Sequence, residues 1–452
     1  MVVRPAAANL SAMSERPRLT VIGTGYLGAT HAVCMAELGF EVLGLDVEQA
    51  KIDLLQSGEV PFFEPGLPEL LRKNLETGRL RFTTSYEEVG AFGDVHFLCV
   101  GTPQKKGEYA ADMTYVDASF RSLVPHLRDG ALVVGKSTVP AGTAERLAEE
   151  LERTSPAKGV ELAWNPEFLR EGFAIEDTLT PDRLVFGVRT ERSEQLLRTA
   201  FAPVIDLPTP VVVCDFATAQ LVKVAANAFL ATKISFINAM AEVCEATHGD
   251  VKKLSEALSY DTRIGGRFLH AGLGFGGGCL PKDIRAFMAR AGELGVDQAL
   301  SFLKEVDAIN LRRRARMVDL AREELGGSFG GMRVGVLGAA FKPNSDDIRD
   351  SPALDVAASI QRQGAAVLVY DPAAMDNARV LHPELGYREN AVEAARGADI
   401  VLHLTEWKEF RTMDPAALSA VVTSKRMVDG RNALDPQQWR DAGWTYRALG
   451  RP

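Results

Sequence analysis

The sequence predicts an α/β protein built from two doubly wound, Rossmann-like domains joined by a central helical layer that contains one long helix. Three observations predict it. Short β-rich runs alternate with helical patterns from Arg18 to about Asp215, the signature of parallel strands with crossover helices. The same alternation resumes at about Gly331. Between the two, residues 216–248 contain no Gly or Pro and keep apolar residues at three- and four-residue spacings, the period of a helix.

The elements follow in chain order. RLTVIG reads as a strand, a helix opens at about Leu27, EVLGLD is a second strand and a further helix surrounds Lys51. DVHFLCV and ALVVGKSTV continue the strand series. After the long helix, a helical stretch from about Pro281 to Leu325 completes a layer suited to bracing two domains or pairing subunits. MRVGVLG, AAVLVYDP, ADIVLHLT and KRMVDGR are the strands of the last domain. The predicted organisation is a flexible N-terminal tail over 1–17, a Rossmann domain over 18–215, a central helical and dimerisation region over 216–328 and a terminal α/β domain over 329–452.

Composition narrows the function. A chain of 452 residues needs several cores rather than one. Its formal charge of −9 argues against nucleic acid or an anionic membrane as partner. The basic run Arg312, Arg313, Arg314 and Arg316 follows a helical pattern and reads as a solvated face. The five cysteines, at 34, 99, 214, 244 and 279, form no CxxC pair and no Cys/His cluster with metal spacing. No metal site or disulfide framework is therefore expected, and reduced thiols fit the cytoplasm. No apolar run of the ~18–20 residues that span a bilayer stands out, and residues 1–16 lack the apolar segment of a secretory signal.

The strand RLTVIG runs directly into Gly23-Thr24-Gly25-Tyr26-Leu27-Gly28, a GxGxxG at a strand-to-helix junction. Glycines there permit a tight turn, close approach of backbone to a pyrophosphate and close helix packing, with the helix N-terminus facing the anion. EVLGLD then ends in Asp46, placed to accept from a ribose 2′-hydroxyl and to repel a 2′-phosphate, which predicts NAD over NADP. Lys51 either reaches the adenosine end or is a surface lysine. Gly101 and Thr102, after DVHFLCV, sit where loops at the carboxyl ends of strands meet a cofactor, although a plain turn fits them equally. GVLGAAFK, which opens the last domain, lacks the three-glycine turn, so that domain suits the nucleotide part of a substrate rather than a second dinucleotide.

In GFGGGCLPKD, Cys279 ends a glycine loop two residues before a proline suited to a first helical turn. A helix N-terminus and Lys282 would both favour thiolate, which describes an activated nucleophile, whereas Cys34, Cys99, Cys214 and Cys244 lie in apolar runs and read as core residues. Lys223 with Asn227, and Glu167 with Glu171, share the four-residue spacing of one helical face. Oxidising an alcohol beyond the aldehyde needs a base, an oxyanion stabiliser, a thiol and a water activator, and these residues are candidates for all four.

Nine strings in order, VIGTGYLG, GEVPFFEPGL, CVGTP, KSTVPAGT, NPEFLREG, KVAANAFLATKISFIN, GFGGGCLPKD, AFKPNSDDIRDSPA and DGRN, resemble the UDP-glucose/GDP-mannose dehydrogenase family, and its UDP-glucose branch most. The resemblance covers nearly the whole chain from Arg18. One departure is Gly278, where relatives usually carry Ser; it removes a hydroxyl next to the nucleophile. The resemblance implies two successive hydride transfers to NAD through a thiohemiacetal and a thioester on Cys279, then hydrolysis to a uronate. It implies that Lys223 and Asn227 stabilise oxyanions, that Asp283 moves protons through water, and that Thr138 and Glu167 position and activate the hydrolytic water.

For NAD it implies contacts from Gly23, Gly25, Tyr26, Leu27, Gly28, Asp46, Lys51, Gly101, Thr102, Thr138, Glu171, Lys282 and Arg349. For a UDP-sugar it implies Glu167, Phe168, Leu169, Arg170 and Glu171 with Lys223 and Asn227. The loop Phe268-Leu269-His270-Ala271-Gly272 would join them, as would Gly276, Phe341, Lys342, Arg431 and Arg263, the last donated across a homodimer. The same chemistry on GDP-mannose or a UDP-N-acetyl-hexosamine is the alternative. A non-catalytic sensor of NAD or nucleotide sugars is the alternative of a different class, and the joint presence of Cys279, Lys223, Asn227, Glu167 and Asp283 argues against it.

Overall fold

The computed structural model describes residues 16–452, so the tail expected over 1–17 falls almost wholly outside the described residues. The chain forms two compact units: the described residues up to Pro103 with Ala111–Lys223, and Gln104–Ala110 with Val224–Pro452. The division falls inside the long helix rather than ahead of it.

The first unit is organised by eight strands: β1 (Leu19–Ile22), β2 (Val42–Leu45), β3 (Leu80–Thr83), β4 (Val95–Leu98), β5 (Leu132–Gly135), β6 (Glu161–Trp164), β7 (Leu184–Gly187) and β8 (Val211–Cys214). Their order in the sheet is β3-β2-β1-β4-β5-β6-β7-β8, and all neighbours are parallel except β6 and β7, which meet antiparallel at Trp164 and Gly187. Strands β1, β2, β4 and β5 are buried along their whole length. That is why they read as mostly apolar runs, broken only by Thr20 and His96, which bond each other at 2.8 Å: parallel strands carry helices on both faces. The order reverses between β1 and β4, and in such sheets the crevice beyond the carboxyl ends at the reversal is where ligands bind.

The second unit carries β9 (Arg333–Leu337), β10 (Ala366–Tyr370), β11 (Gly386–Tyr387), β12 (Ile400–His403), β13 (Arg426–Asp429) and β14 (Thr445–Ala448). They form a parallel sheet in the order β11-β10-β9-β12-β13-β14. Its core is rich in Val, Leu and Ala, closed by Trp407, Phe410, Trp439 and Trp444. The helical stretch expected over 281–325 is two helices, Leu280–Glu293 and Phe302–Glu324, because Gly295 turns the chain at φ +72° between them.

Three expectations need correction. The helix Phe216–Thr247 is, by length and composition, apolar enough to cross a membrane. Its buried polar residues identify a core helix instead: Gln220 accepts from the Ala144 amide at 3.0 Å, Ser235 donates to the Val306 carbonyl at 2.7 Å and Asn238 accepts from the Gly272 amide at 2.9 Å. The arginine run is not a solvated face, since Arg313 and Arg314 are buried. Arg313 pairs with Glu245 and Arg314 with Asp350 and Asp355, partners too distant in sequence for a local charge pattern to reveal. Glu167 and Glu171 do not share a helical face either, because residues 165–173 form a loop after β6.

The turn after β9 shows why this unit lacks a dinucleotide signature. Gly338, at φ +117°, leads into Ala339 and Ala340, whose amides both donate to the buried Asp371 carboxylate at the end of β10, at 2.7 and 3.0 Å. The Trp407 indole N–H and the amides of Ala373 and Ala374 complete its shell at 2.9–3.0 Å. Removing the carboxylate strands several buried donors, so Asp371→Ala is expected to cost roughly 3–5 kcal/mol. Hydrogen exchange read residue by residue checks this, with faster exchange at Ala339 and Ala340 and no change at Thr24 in the first unit.

Candidate active site

In the first unit β1 ends at Ile22 and the chain turns through Gly23 at φ +88° into the helix Tyr26–Glu37, with Gly25 as N-cap. A Cβ at Gly28 would lie 1.8 Å from the Gly23 carbonyl oxygen and one at Gly23 would lie 2.8 Å from Val100, so both glycines are required by packing. A Cβ at Gly25 or Gly101 would meet nothing within 4 Å, so backbone faces open space there. Amides at a helix N-terminus with an open side are what a pyrophosphate needs, and the residues fit a dinucleotide.

Asp46, just beyond β2, is buried beside this turn. It accepts from the Thr24 amide at 2.9 Å, from Lys51 Nζ at 3.1 Å and from the Glu48 amide at 3.2 Å. Burial pushes its carboxyl up, but these donors outweigh burial and hold it below the usual range, so it stays ionised. Lys51 thus neutralises Asp46 rather than standing alone on the surface. The Thr102 hydroxyl donates to the Thr138 carbonyl at 2.8 Å, which joins the loops after β4 and β5.

The loop after β6 carries Glu167 to Glu171. Glu167 accepts from Lys223 Nζ at 2.8 Å and from the Leu169 amide at 2.6 Å. Burial raises its carboxyl, yet Lys223, Leu169 and the nearby Lys136 keep it depressed and charged. Phe168 lies under the Arg183 guanidinium, and Arg170 is spent on Asp177. Sequence reasoning missed two groups here. Glu64, buried, accepts from the amides of Gly172 at 2.6 Å and Ala174 at 2.8 Å and from the Tyr26 hydroxyl, which ties this loop to the dinucleotide turn. Lys136, at the end of β5, donates to Asn165 Oδ1 at 2.7 Å, and burial lowers its pKa to about 8. Both lie inside strings that mark the family resemblance, but nothing local distinguishes a buried Lys or Glu from a surface one.

In the second unit Cys279 is the N-cap of the helix Leu280–Glu293, with Pro281 in the first turn, and it is exposed. Cys34, Cys99 and Cys244 are buried, and burial lifts the thiols of Cys34 and Cys99 to about 12. Asp283, one turn into the helix and buried, accepts from Asn227 Nδ2 at 2.6 Å and from Lys282 Nζ at 2.5 Å. The Lys282 ammonium is therefore paired with Asp283.

The expected sugar-nucleotide residues of this unit divide. Leu269, Ala271, Gly272 and Gly276 are buried backbone positions, with Phe268 at φ +64° starting the loop and His270 exposed. The Ala271 carbonyl accepts from Asn432 and the Gly272 carbonyl from Arg313. Arg431 donates to the carbonyls of Leu404, Gly274 and Phe341 at 2.7, 3.1 and 3.0 Å, so its guanidinium knits three loops together. The Lys342 ammonium lies 5.3 Å from the Phe341 ring. Arg349 pairs with Asp347 at 2.7 Å. Arg263, paired with Asp261, is 87% exposed.

Three family models match the chain: the NAD binding domain of the UDP-glucose/GDP-mannose dehydrogenase family over residues 17–205, its central domain over 217–312 and its UDP binding domain over 335–436. A UDP-glucose 6-dehydrogenase of Rhizobium meliloti is 40% identical over 437 residues, covering 96% of this chain and all of the relative. One from Bacillus subtilis is 39% identical, covering 96% and 97%. Among solved structures, a UDP-glucose dehydrogenase from Pyrobaculum islandicum superposes with a TM-score of 0.89 at 38% identity, covering 98% of this chain and 100% of that one. A UDP-D-ManNAc dehydrogenase from Pyrococcus horikoshii gives 0.84 at 26% identity, covering 96% and 99%. Matched by all three domain models and by relatives over nearly their full length, the chain belongs to the UDP-glucose/GDP-mannose dehydrogenase family, with NAD as its cofactor.

Proposed function

We propose that this protein oxidises the 6-hydroxyl of UDP-glucose to the carboxylate of UDP-glucuronate, with Cys279 as covalent nucleophile. The observation that carries the reading is the placement of Cys279: an exposed thiol at a helix N-terminus, in a chain whose Cys34, Cys99 and Cys244 are buried. The similarity to UDP-glucose 6-dehydrogenases over nearly the whole chain supports UDP-glucose over GDP-mannose or a UDP-N-acetyl-hexosamine.

NAD, when bound, accepts one hydride per oxidation, so two molecules of it are reduced per sugar. The alcohol loses its O–H proton to a base as C6 gives up hydride, leaving an aldehyde. The Cys279 sulfur adds to that carbon while its proton passes to the oxygen, giving a thiohemiacetal. Loss of a second hydride and of the hydroxyl proton leaves a thioester, and water then breaks the C–S bond to release carboxylate and thiol. Asn227 and Lys223, one helical turn apart on the long helix, donate to the developing oxyanions. Asp283, held by Asn227, passes protons through water, and Glu167, kept ionised by Lys223, activates the hydrolytic water with Thr138. The turn Gly23–Gly28 with Asp46, Lys51, Gly101, Thr102, Glu171, Lys282 and Arg349 holds NAD. The 268–272 loop with Lys342 would hold the UDP-sugar, while Arg431, expected to face the substrate, is spent on three carbonyls and only fixes the loops around it.

The functional unit of this proposal is a homodimer. Phe229, Phe236 and Val243 are exposed at seven-residue intervals on the long helix, an apolar stripe suited to a second copy. Arg263 would reach the partner's site from the surface.

Three outcomes are expected. Cys279→Ala should abolish UDP-glucuronate formation while calorimetry still shows both ligands binding, and the wild type should release two NADH per sugar; uronate from the variant at near wild-type rate would overturn the covalent route. Asp46→Ala should narrow the preference for NAD+ over NADP+, because the carboxylate facing a 2′-phosphate is gone; kcat/KM for the two cofactors decides it. Phe236→Asp should shift the protein from dimer to monomer in analytical ultracentrifugation, and an unchanged mass would remove this helix from the interface.

A further inference from the structure

The loop that presents Cys279 belongs to neither a sheet nor a helix, yet residues 271–277 are buried. One face of the helix Phe302–Glu324 satisfies part of its backbone, at Gly272 and Phe275. Asn310 uses both ends of its amide on one residue: Oδ1 accepts from the Phe275 amide at 2.7 Å and Nδ2 donates to the Phe275 carbonyl at 2.9 Å. This is the pattern of a strand partner supplied by a side chain. A Cβ on Gly274, at φ +89°, would lie 2.2 Å from Asn310 Oδ1, so this approach depends on that glycine.

One helical turn on, Arg314 donates to the same Phe275 carbonyl at 3.3 Å, to the Asp350 carbonyl at 3.3 Å and to the Asp350 carboxylate at 2.8 Å, and it also pairs with Asp355. Asp350 is a non-glycine residue at φ +48°, a conformation that persists only where its surroundings hold it. Arg285, 3.6 Å from its carboxylate, is a second hold. The Asp350 carbonyl occupies the space a Cβ on Gly276 would fill, at 2.3 Å, and the Arg349 carbonyl accepts from the Gly277 amide at 2.8 Å. The 349–350 turn is thereby the second wall of the cysteine loop, and Arg314 fixes both walls.

We propose that Asn310 and Arg314 are positioning residues for Cys279, setting where the thiol stands by tying Phe275 and Asp350 to one helix face. This rests on the reading of Cys279 as nucleophile. Neither side chain touches the reacting atoms; each acts through the loop. Displacing a nucleophile by about 1 Å costs up to about a hundredfold in rate.

The test compares Asn310→Asp, which keeps the shape but loses the donor to Phe275, with Arg314→Lys, which keeps the charge but cannot reach all its acceptors. In the intact protein kcat should fall by about tenfold or more for each, with KM for UDP-glucose changing by less than about twofold. The double variant should cost less than the product of the two, because both act on one loop. Alkylation of Cys279 by iodoacetamide, followed by peptide mass spectrometry without ligands, should change in rate by severalfold. This readout needs no turnover, so it separates failure of this inference from failure of the covalent mechanism, which Cys279→Ala tests. An unchanged alkylation rate and kcat in folded variants overturns the proposal, as does an equal loss of affinity for both ligands. Should Asn310→Asp fail to fold, the Arg314→Lys measurements decide alone.

Discussion

A buried loop with no ladder to pair with is the constraint around which the second unit is arranged. Each of its amides and carbonyls loses water on folding, and leaving one unmet costs about 1–3 kcal/mol. Side chains from three neighbouring elements meet much of that demand in the loop before Cys279: Asn238 from the long helix, Asn310, Arg313 and Arg314 from the Phe302–Glu324 helix, and Arg431 and Asn432 from beyond β13. The polar residues buried in these helices are therefore a consequence of the loop. Their charges are balanced in turn by Glu245, Asp350 and Asp355.

The first unit solves a related problem with carboxylates. Glu64 receives two amides of the loop after β6, and Glu167 receives one of that loop together with Lys223. Both oxygens of each group are engaged, so the loop that carries Glu167 is fixed on either side. Tyr26 joins Glu64 to the dinucleotide turn; burial and the neighbouring Glu64 raise its phenol far above the ordinary value, so it remains a donor. The turn and the loop are parts of one hydrogen-bonded assembly.

Much of this architecture was legible in the sequence. The buried strands β1, β2, β4, β5, β9, β10, β12 and β13 read as apolar runs because parallel strands are covered on both faces. The glycine turn was legible because its requirement is local. What escaped reading depends on residues far apart in the chain. The Arg312–Arg316 run looks solvated until Glu245 and Asp350 are known to stand opposite it. The spacing of Glu167 and Glu171 suggested a helix, whereas the segment is a loop held by Glu64 from a hundred residues upstream. Strand β8, partly exposed at the sheet edge, carried too little burial to be singled out. Lys223 and Glu167, like Asn227 and Asp283, lie 56 residues apart in the sequence, and only the fold brings each pair into contact.

The two α/β units differ in one way that bears on how such a chain can change. In the first, Asp46 takes a single amide of the turn, and Gly25 leaves the turn open. In the second, Asp371 takes the amides of Ala339 and Ala340 together with an indole N–H, so the corresponding turn has already been answered from within. Converting Ala339 and Ala340 to glycine would free space but not the amides, because the carboxylate would still claim them. The terminal unit is thus barred from acquiring a second cofactor by small steps at its turn: at least the acid and the tryptophan behind it would have to change together. Two α/β units of related architecture thus differ in whether the turn after the first strand is open to a ligand or already occupied.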